Sequence, residues 1–133
     1  MADRIARGVL HVRTIPGTPL VSIQPDVFQP PTDVYETDSE IIVKVDIAGV
    51  AEDNMEVTIE EGKLRVHGYR TDCSAFSKLA VHRMEIMCGE FQTYVHLPHA
   101  VDTDAEIDCT YHSGMLTVVL QKEAARKVQI TTE

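Results

Sequence analysis

From Asp33 onward the chain alternates between apolar and polar positions. In EIIVKVDI, Ile41, Val43, Val45 and Ile47 share one side while Lys44 and Asp46 lie on the other, the two-residue period of a half-buried strand. In NMEVTIEEGKLRVHGYR, Met55, Val57 and Ile59 alternate with Glu56, Thr58 and Glu60. Glu61-Gly62 then supplies a turn, and Leu64 and Val66 resume the alternation, which predicts a hairpin. FQTYVHL and EIDCTYH read as further strands, and Ser113-Gly114 turns the second into MLTVVLQ, where Leu116, Val118 and Leu120 alternate and Val119 adds an apolar residue to the other side. About seven strands at roughly ten-residue spacing, with no convincing long helix, predict an all-β sandwich.

Residues 1–32 differ in kind. Pro16, Pro19, Pro25, Pro30 and Pro31 remove backbone donors and fix backbone angles, so neither a long helix nor an inner strand is expected there. At most Ile5, Val9 and Val12 make one side of a short helix, weakened by Gly8. The other apolar residues, Ile15 and Phe28 among them, follow no period. The segment reads as a flexible arm with apolar residues it cannot bury by itself.

Between Thr71 and Met87 lies TDCSAFSKLAVHRMEIM, too long for a tight hairpin. A connection of roughly 15 residues inside a compact domain usually carries function or structure of its own. VHRMEI, Val81 to Ile86, is expected to be a strand standing off the sandwich. Its unpaired backbone groups would be satisfied by lending it to a second copy of the chain.

Composition narrows the function classes. The 133 residues suffice for one domain, 44% are hydrophobic and 25% charged, the balance of a soluble globular protein. No apolar run approaches a membrane span, and MADRIARGVL lacks the h-region of a secretory signal, so a cytoplasmic location is expected. Net charge is −9, divided as +1 up to Thr32 and −10 beyond it. An acidic body repels nucleic-acid phosphates and anionic lipid, so neither nucleic acid nor membrane is expected as a partner. It also keeps in solution a protein that exposes apolar surface. The three cysteines, Cys73, Cys88 and Cys109, are odd in number and irregularly spaced, which speaks for reduced thiols. Cys73 and Cys88 flank the long connection as possible oxidant sensors, with inert, partly buried thiols the plainer reading.

Four stretches, PPTDVYETDSEIIVKVDIAGV, NMEVTIEEGKLRVHGYR, HRMEIMCGEFQTYVHLP and AEIDCTYHSGMLTVVLQK, resemble in order and spacing the α-crystallin domain of the small heat-shock proteins. The resemblance covers nearly everything from Pro30 to Lys122. Ala105, Gly114 and Leu116 match the family's A-x(n)-G-x-L signature, and Val128-Gln129-Ile130 its I/V-x-I tail motif. It implies an immunoglobulin-like β-sandwich at 33–122, with a strand-exchange loop at about 71–87, between an arm at 1–32 and a tail at 123–133. It also implies dimers built through Val81, His82, Arg83, Met84, Glu85 and Ile86, and ATP-independent holding of unfolding clients without any cofactor or metal. Ile5, Val9, Val12, Ile15 and Phe28 would then be the client-binding residues of an arm that is short for the family. The chain departs from the family pattern in three places. Ile47-Ala48-Gly49 replaces the usual L-P-G turn, Thr93 stands where many members carry an interface arginine, and Ile86 replaces a basic residue. A dimer interface resting on apolar contact more than on ion pairs follows as an expectation.

Val128 and Ile130, spaced i, i+2, would lay both side chains into a gap between two edge strands by strand addition. By analogy with the family's groove, its walls are Met55, Val57 and Ile59 on one strand and Ile107, Cys109 and Tyr111 on another. Ordinary core is an equally open reading of each. Burying a Val and an Ile is worth roughly 3 to 5 kcal/mol, and ordering the tail takes back much of it. One tail therefore binds at about millimolar strength or weaker, and many tails act together through effective concentration.

Rival chemistry is thin. Cys109 and His112 as nucleophile and base sit three apart, on opposite sides of a strand, so an enzyme is not expected. His96 and His99 lack the four-ligand spacing of a structural metal site. The stronger competitor is a CS-domain-like co-chaperone or adaptor that binds an ATP-driven chaperone, a class that usually lacks both a V-x-I tail and a strand-exchange loop.

Overall fold

A computed structural model describes residues 27–71, 80–124 and 129–132, together with the backbone of 11–14. Among these, eight strands build two four-stranded sheets. They are β1 (His11–Thr14), β2 (Thr32–Glu36), β3 (Glu40–Asp46), β4 (Met55–Glu60), β5 (Lys63–Arg70), β6 (Gly89–His96), β7 (Asp108–His112) and β8 (Met115–Gln121). One sheet has the order β1-β4-β5-β6 and the other β2-β3-β8-β7. Every pairing between these strands is antiparallel except that of β1 with β4. A short 3-10 turn, Glu52–Asn54, precedes β4. No helix among the described residues is long and apolar enough to cross a membrane.

The two-residue period becomes the core. Ile41, Val43 and Val45 of β3 and Leu116, Val118 and Leu120 of β8 meet Val57, Ile59, Leu64, Val66, Phe91 and Val95 of the facing sheet, all of them buried. The β3–β8 register sets Ile41 against Leu120, Val43 against Val118 and Val45 against Leu116, so each core residue of one strand has a core residue of the other beside it. At roughly 1.5–3 kcal/mol for each fully buried aliphatic side chain, this layer is what holds the two sheets face to face.

The turns obey local chemistry. Ser113 and Gly114 both have positive φ, 50° and 79°, as a two-residue hairpin that follows the strand twist requires. Gly114 is fixed twice over, because a Cβ there would lie 2.7 Å from the Cβ of Ala48. Its carbonyl accepts the Ile47 N–H at 2.9 Å. The glycine of the expected family signature and the altered Ile47-Ala48-Gly49 turn are thus packed against each other.

The arm departs from expectation at one point. Val12 lies on a strand rather than on a short helix, with β1 set in parallel along β4. An edge strand needs backbone partners on one side only, so prolines flanking it are tolerated, and Val12 and Thr14 are residue types that favour extended backbone. Ile5, Val9 and Ile15 lie outside the described residues.

Phe28 makes backbone contact with the sandwich. Its N–H donates to Glu90 O and its carbonyl accepts from the Gln92 N–H, each at 3.0 Å. Its ring lies 5.8 Å from that of Phe91.

Candidate functional site

A β-sandwich offers partners its four rims, where edge strands present unpaired N–H and C=O groups. In the first sheet the chain itself pairs along one rim and bridges to the other at a single residue. β1 lies on β4 with the register His11↔Glu56, Val12↔Val57, Arg13↔Thr58 and Thr14↔Ile59. Phe28 bridges to Phe91 on β6. In the second sheet β2 and β7 are the outermost strands, and no described strand pairs beyond them.

The residues expected to wall a tail groove fall into two groups. Met55, Val57 and Ile59 are buried and belong to the core. Ile107, Cys109 and Tyr111 are half-buried and packed against it. The Tyr111 hydroxyl donates to the Ile47 carbonyl at 3.0 Å, and burial is the main force raising its pKa. Burial, helped by the neighbouring Asp108 charge, pushes the Cys109 thiol up to about 12. A thiol held protonated is the opposite of an activated nucleophile. Of the tail motif, Val128 lies outside the described residues and Ile130 is 88% exposed.

The rim at β2 is a different surface. Val34 and Tyr35 stand exposed on it, and the Tyr35 hydroxyl donates to Asp33 at 2.9 Å. That hydrogen bond and the Asp33 charge raise the tyrosine's pKa. Residues 80–88 of the long connection form no strand, and Val81, Met84, Ile86 and Met87 are all more than half exposed. Arg83 and Glu85, 4.0 Å apart, are nearly fully solvated, so their pairing adds little. His82 is exposed beside them. Arg70 anchors the exit of this segment: Nη1 donates to the Met87 carbonyl at 2.8 Å while the guanidinium lies 5.2 Å above the Phe28 ring.

Thr93 is buried at the junction of the two sheets. The Thr32 hydroxyl lies 3.0 Å from its hydroxyl and 3.0 Å from the Pro30 carbonyl. A small hydroxyl here ties β6 to β2, where an arginine would need a partner for its charge. His96 and His99 sit at the exposed end of β6, and His99 Nδ1 lies 2.6 Å from the Ala100 carbonyl. Sequence reasoning missed Phe28, Arg70 and the β1 strand as parts of the rims. A single bridge residue and a four-residue strand carry too little periodicity to be seen.

Comparison with known proteins fits these observations. The model of the Hsp20/alpha crystallin family matches residues 33–131. Small heat shock protein C4 of Rickettsia felis is 26% identical over 108 residues, covering 79% of this chain and 66% of that protein. The 18.3 kDa class I heat shock protein of Oxybasis rubra is 30% identical over 99 residues, covering 74% of this chain and 61% of its own length. Among solved structures, heat shock protein 16.0 from Schizosaccharomyces pombe superposes with a TM-score of 0.65 at 26% identity, over 82% of this chain and 78% of that one. The hspA protein of Xanthomonas axonopodis gives 0.66 at 25% identity, over 74% and 98%.

Proposed function

The chain belongs to the Hsp20/alpha crystallin family, and from that premise we propose that it is an ATP-independent holdase acting in the cytoplasm. It captures unfolding proteins on apolar surface and assembles as dimers and larger homo-oligomers. The observation that carries this reading is the second sheet's open rim at β2, with exposed Val34 and Tyr35, together with an exposed segment bearing Val81, Met84, Ile86 and Met87. One half is a strand edge that no described strand covers, the other an exposed apolar stretch that would become a strand on filling it. A second copy of the chain supplies each to the other, and the exchange is self-complementary, as a two-fold dimer requires.

The dimer is the unit, and the tail joins units. Val128 and Ile130 act as an apolar pair for a groove bounded by β4 and β7, with Ile130 held out in solvent and free to reach it. Weak single contacts, multiplied over an assembly, hold it while each one opens and closes. Released rims and the apolar residues of the arm are then offered to clients, whose exposed segments are extended and apolar in the same way.

Two measurements test this. A heat-aggregating model enzyme is followed by light scattering with the full chain added and no ATP; suppressed scattering is expected, and none at molar excess points to an adaptor instead. The doubly substituted Val128→Ala, Ile130→Ala chain is expected to fall toward dimer mass. An unchanged particle mass removes the tail from the account.

A further inference from the structure

Three segments from different parts of the chain meet at the amino end of β6. Phe28, the root of the arm, bridges to Phe91, with its N–H on the Glu90 carbonyl and its own carbonyl on the Gln92 N–H. β5 ends at Arg70, which pairs with Gly89. The long connection arrives through Met87 and turns at Gly89, whose φ is 97°. The aromatic layer at this junction is supported by bare backbone. A Cβ on Gly68 would lie 2.8 Å from Phe91 Cζ, so the Phe91 ring occupies the space a side chain would need, and Phe28 packs against that ring at 5.8 Å.

Arg70 touches both incoming segments. Its guanidinium lies 5.2 Å over the Phe28 ring while Nη1 donates to the Met87 carbonyl at 2.8 Å. Its Nε is buried with no hydrogen-bond partner among the described residues. A buried donor left unbonded is costly, so the group is placed by the ring and the carbonyl it reaches at the expense of its own satisfaction. A planar, weakly hydrated fork can stack on a ring and donate in its own plane at the same time, which a lysine ammonium cannot.

We propose that Arg70 is a clasp coupling the seat of Phe28 to the course of residues 80–88, so that an arm seated beside β6 pre-orients the connection for donation to a second copy. This rests on the strand-exchange reading above and adds regulation to it. With the clasp closed, part of the ordering that exchange requires is complete before the second copy arrives, which strengthens association. A client that draws Phe28 away takes the ring from under the guanidinium, loosens the hold on Met87 and weakens the dimer. The coupling is reciprocal: a connection given to a second copy holds Phe28 more firmly in place.

The test uses the full chain with its tail silenced by Val128→Ala and Ile130→Ala, so that dimerisation alone is read. Arg70→Lys keeps the charge and removes simultaneous stacking and donation, and Phe28→Leu keeps apolar bulk and removes the ring face. Sedimentation equilibrium should show each substitution weakening the dimer about fivefold, and the two together weakening it no more than either alone, because both break one linkage. Dimer affinity untouched by Arg70→Lys, or two effects that multiply to about 25-fold, overturns the coupling. A parent that stays monomeric at every concentration overturns strand exchange and with it the effect on the dimer, while amide exchange in the same samples judges the clasp by itself. Arg70→Lys should speed exchange about fivefold at Phe28 and Gln92, whose N–H groups make the bridge, with β3 and β8 still protected. Unchanged exchange at those two amides overturns the clasp, and leaves strand exchange standing where the parent dimerises.

Discussion

The two sheets of this sandwich share one core and differ at their rims. The first is covered by its own chain along β4, where β1 pairs with it, and is touched on the β6 side at one bridge, Phe28 to Phe91. The second ends in β2 and β7 with no described strand beyond either. Both sheets face the same hazard, since an uncovered edge pairs with whatever extended chain arrives. Among the described residues, one is covered in cis along β4 and the other is not, which is the rim proposed to take a partner. The difference separates two kinds of association in one small fold. An open rim with exposed Val34 and Tyr35 suits a lasting exchange between copies, whereas a rim already covered by a short, breakable strand suits a reversible one.

The strongest way to break the contrast is to break the Ser113-Gly114 turn that joins β7 to β8. Gly114→Val places a β-branched side chain at a φ of 79° and drives its Cβ into Ala48. A loss of about 3 kcal/mol or more is expected, read as a collapse of the thermal midpoint and of both rims together. A variant that melts like the parent would mean that the turn is not fixed by this contact.

Breaking only the open rim should leave the fold intact. Met84→Asp with Ile86→Asp puts two charges on the segment proposed to cross between copies, and sedimentation should show the dimer halved in mass with an unchanged circular dichroism spectrum. In the parent, dimer affinity should change by no more than about twofold between low and high salt, because the contacts are apolar and screening leaves them untouched. A steep salt dependence would put ion pairs back into the interface.

The mildest effect sharpens the picture at β7. Burial raises the Cys109 pKa from 9.0 to about 12, so folding favours the neutral thiol. That contribution is complete below pH 9 and is lost as pH rises toward 12. Cys109→Ala should therefore flatten the alkaline loss of stability in this window, measured by denaturant titration. An identical alkaline profile would indicate a thiol as exposed as an ordinary one.

How much of this was readable beforehand depended on period. Ile41, Val43 and Val45, or Leu116, Val118 and Leu120, announce both a strand and its inward face, and the pairing of β3 with β8 follows from matching them. The hairpin of β4 and β5 was legible through Gly62. Nothing in HVRT announces β1, because four residues with a single aliphatic carry no period and the edge they meet lies over 40 residues away along the chain. Nor does alternation tell a core wall from a groove wall. Met55, Val57 and Ile59 would repeat every second residue in either role, and the distinction lies in what covers the edge. The strand expected over Val81 to Ile86 is not formed, and these apolar residues stand in solvent, because an apolar run in a sequence does not say what backbone will pair with it.

The most direct measurement is amide exchange on the full chain across a dilution series. The account predicts that protection of the β2 amides, residues 33–36, falls as dimers separate, while the β4 amides facing β1 stay protected at every concentration because β1 belongs to the same chain. Protection of β2 that ignores concentration, or β4 amides that open in step with β2, would contradict it.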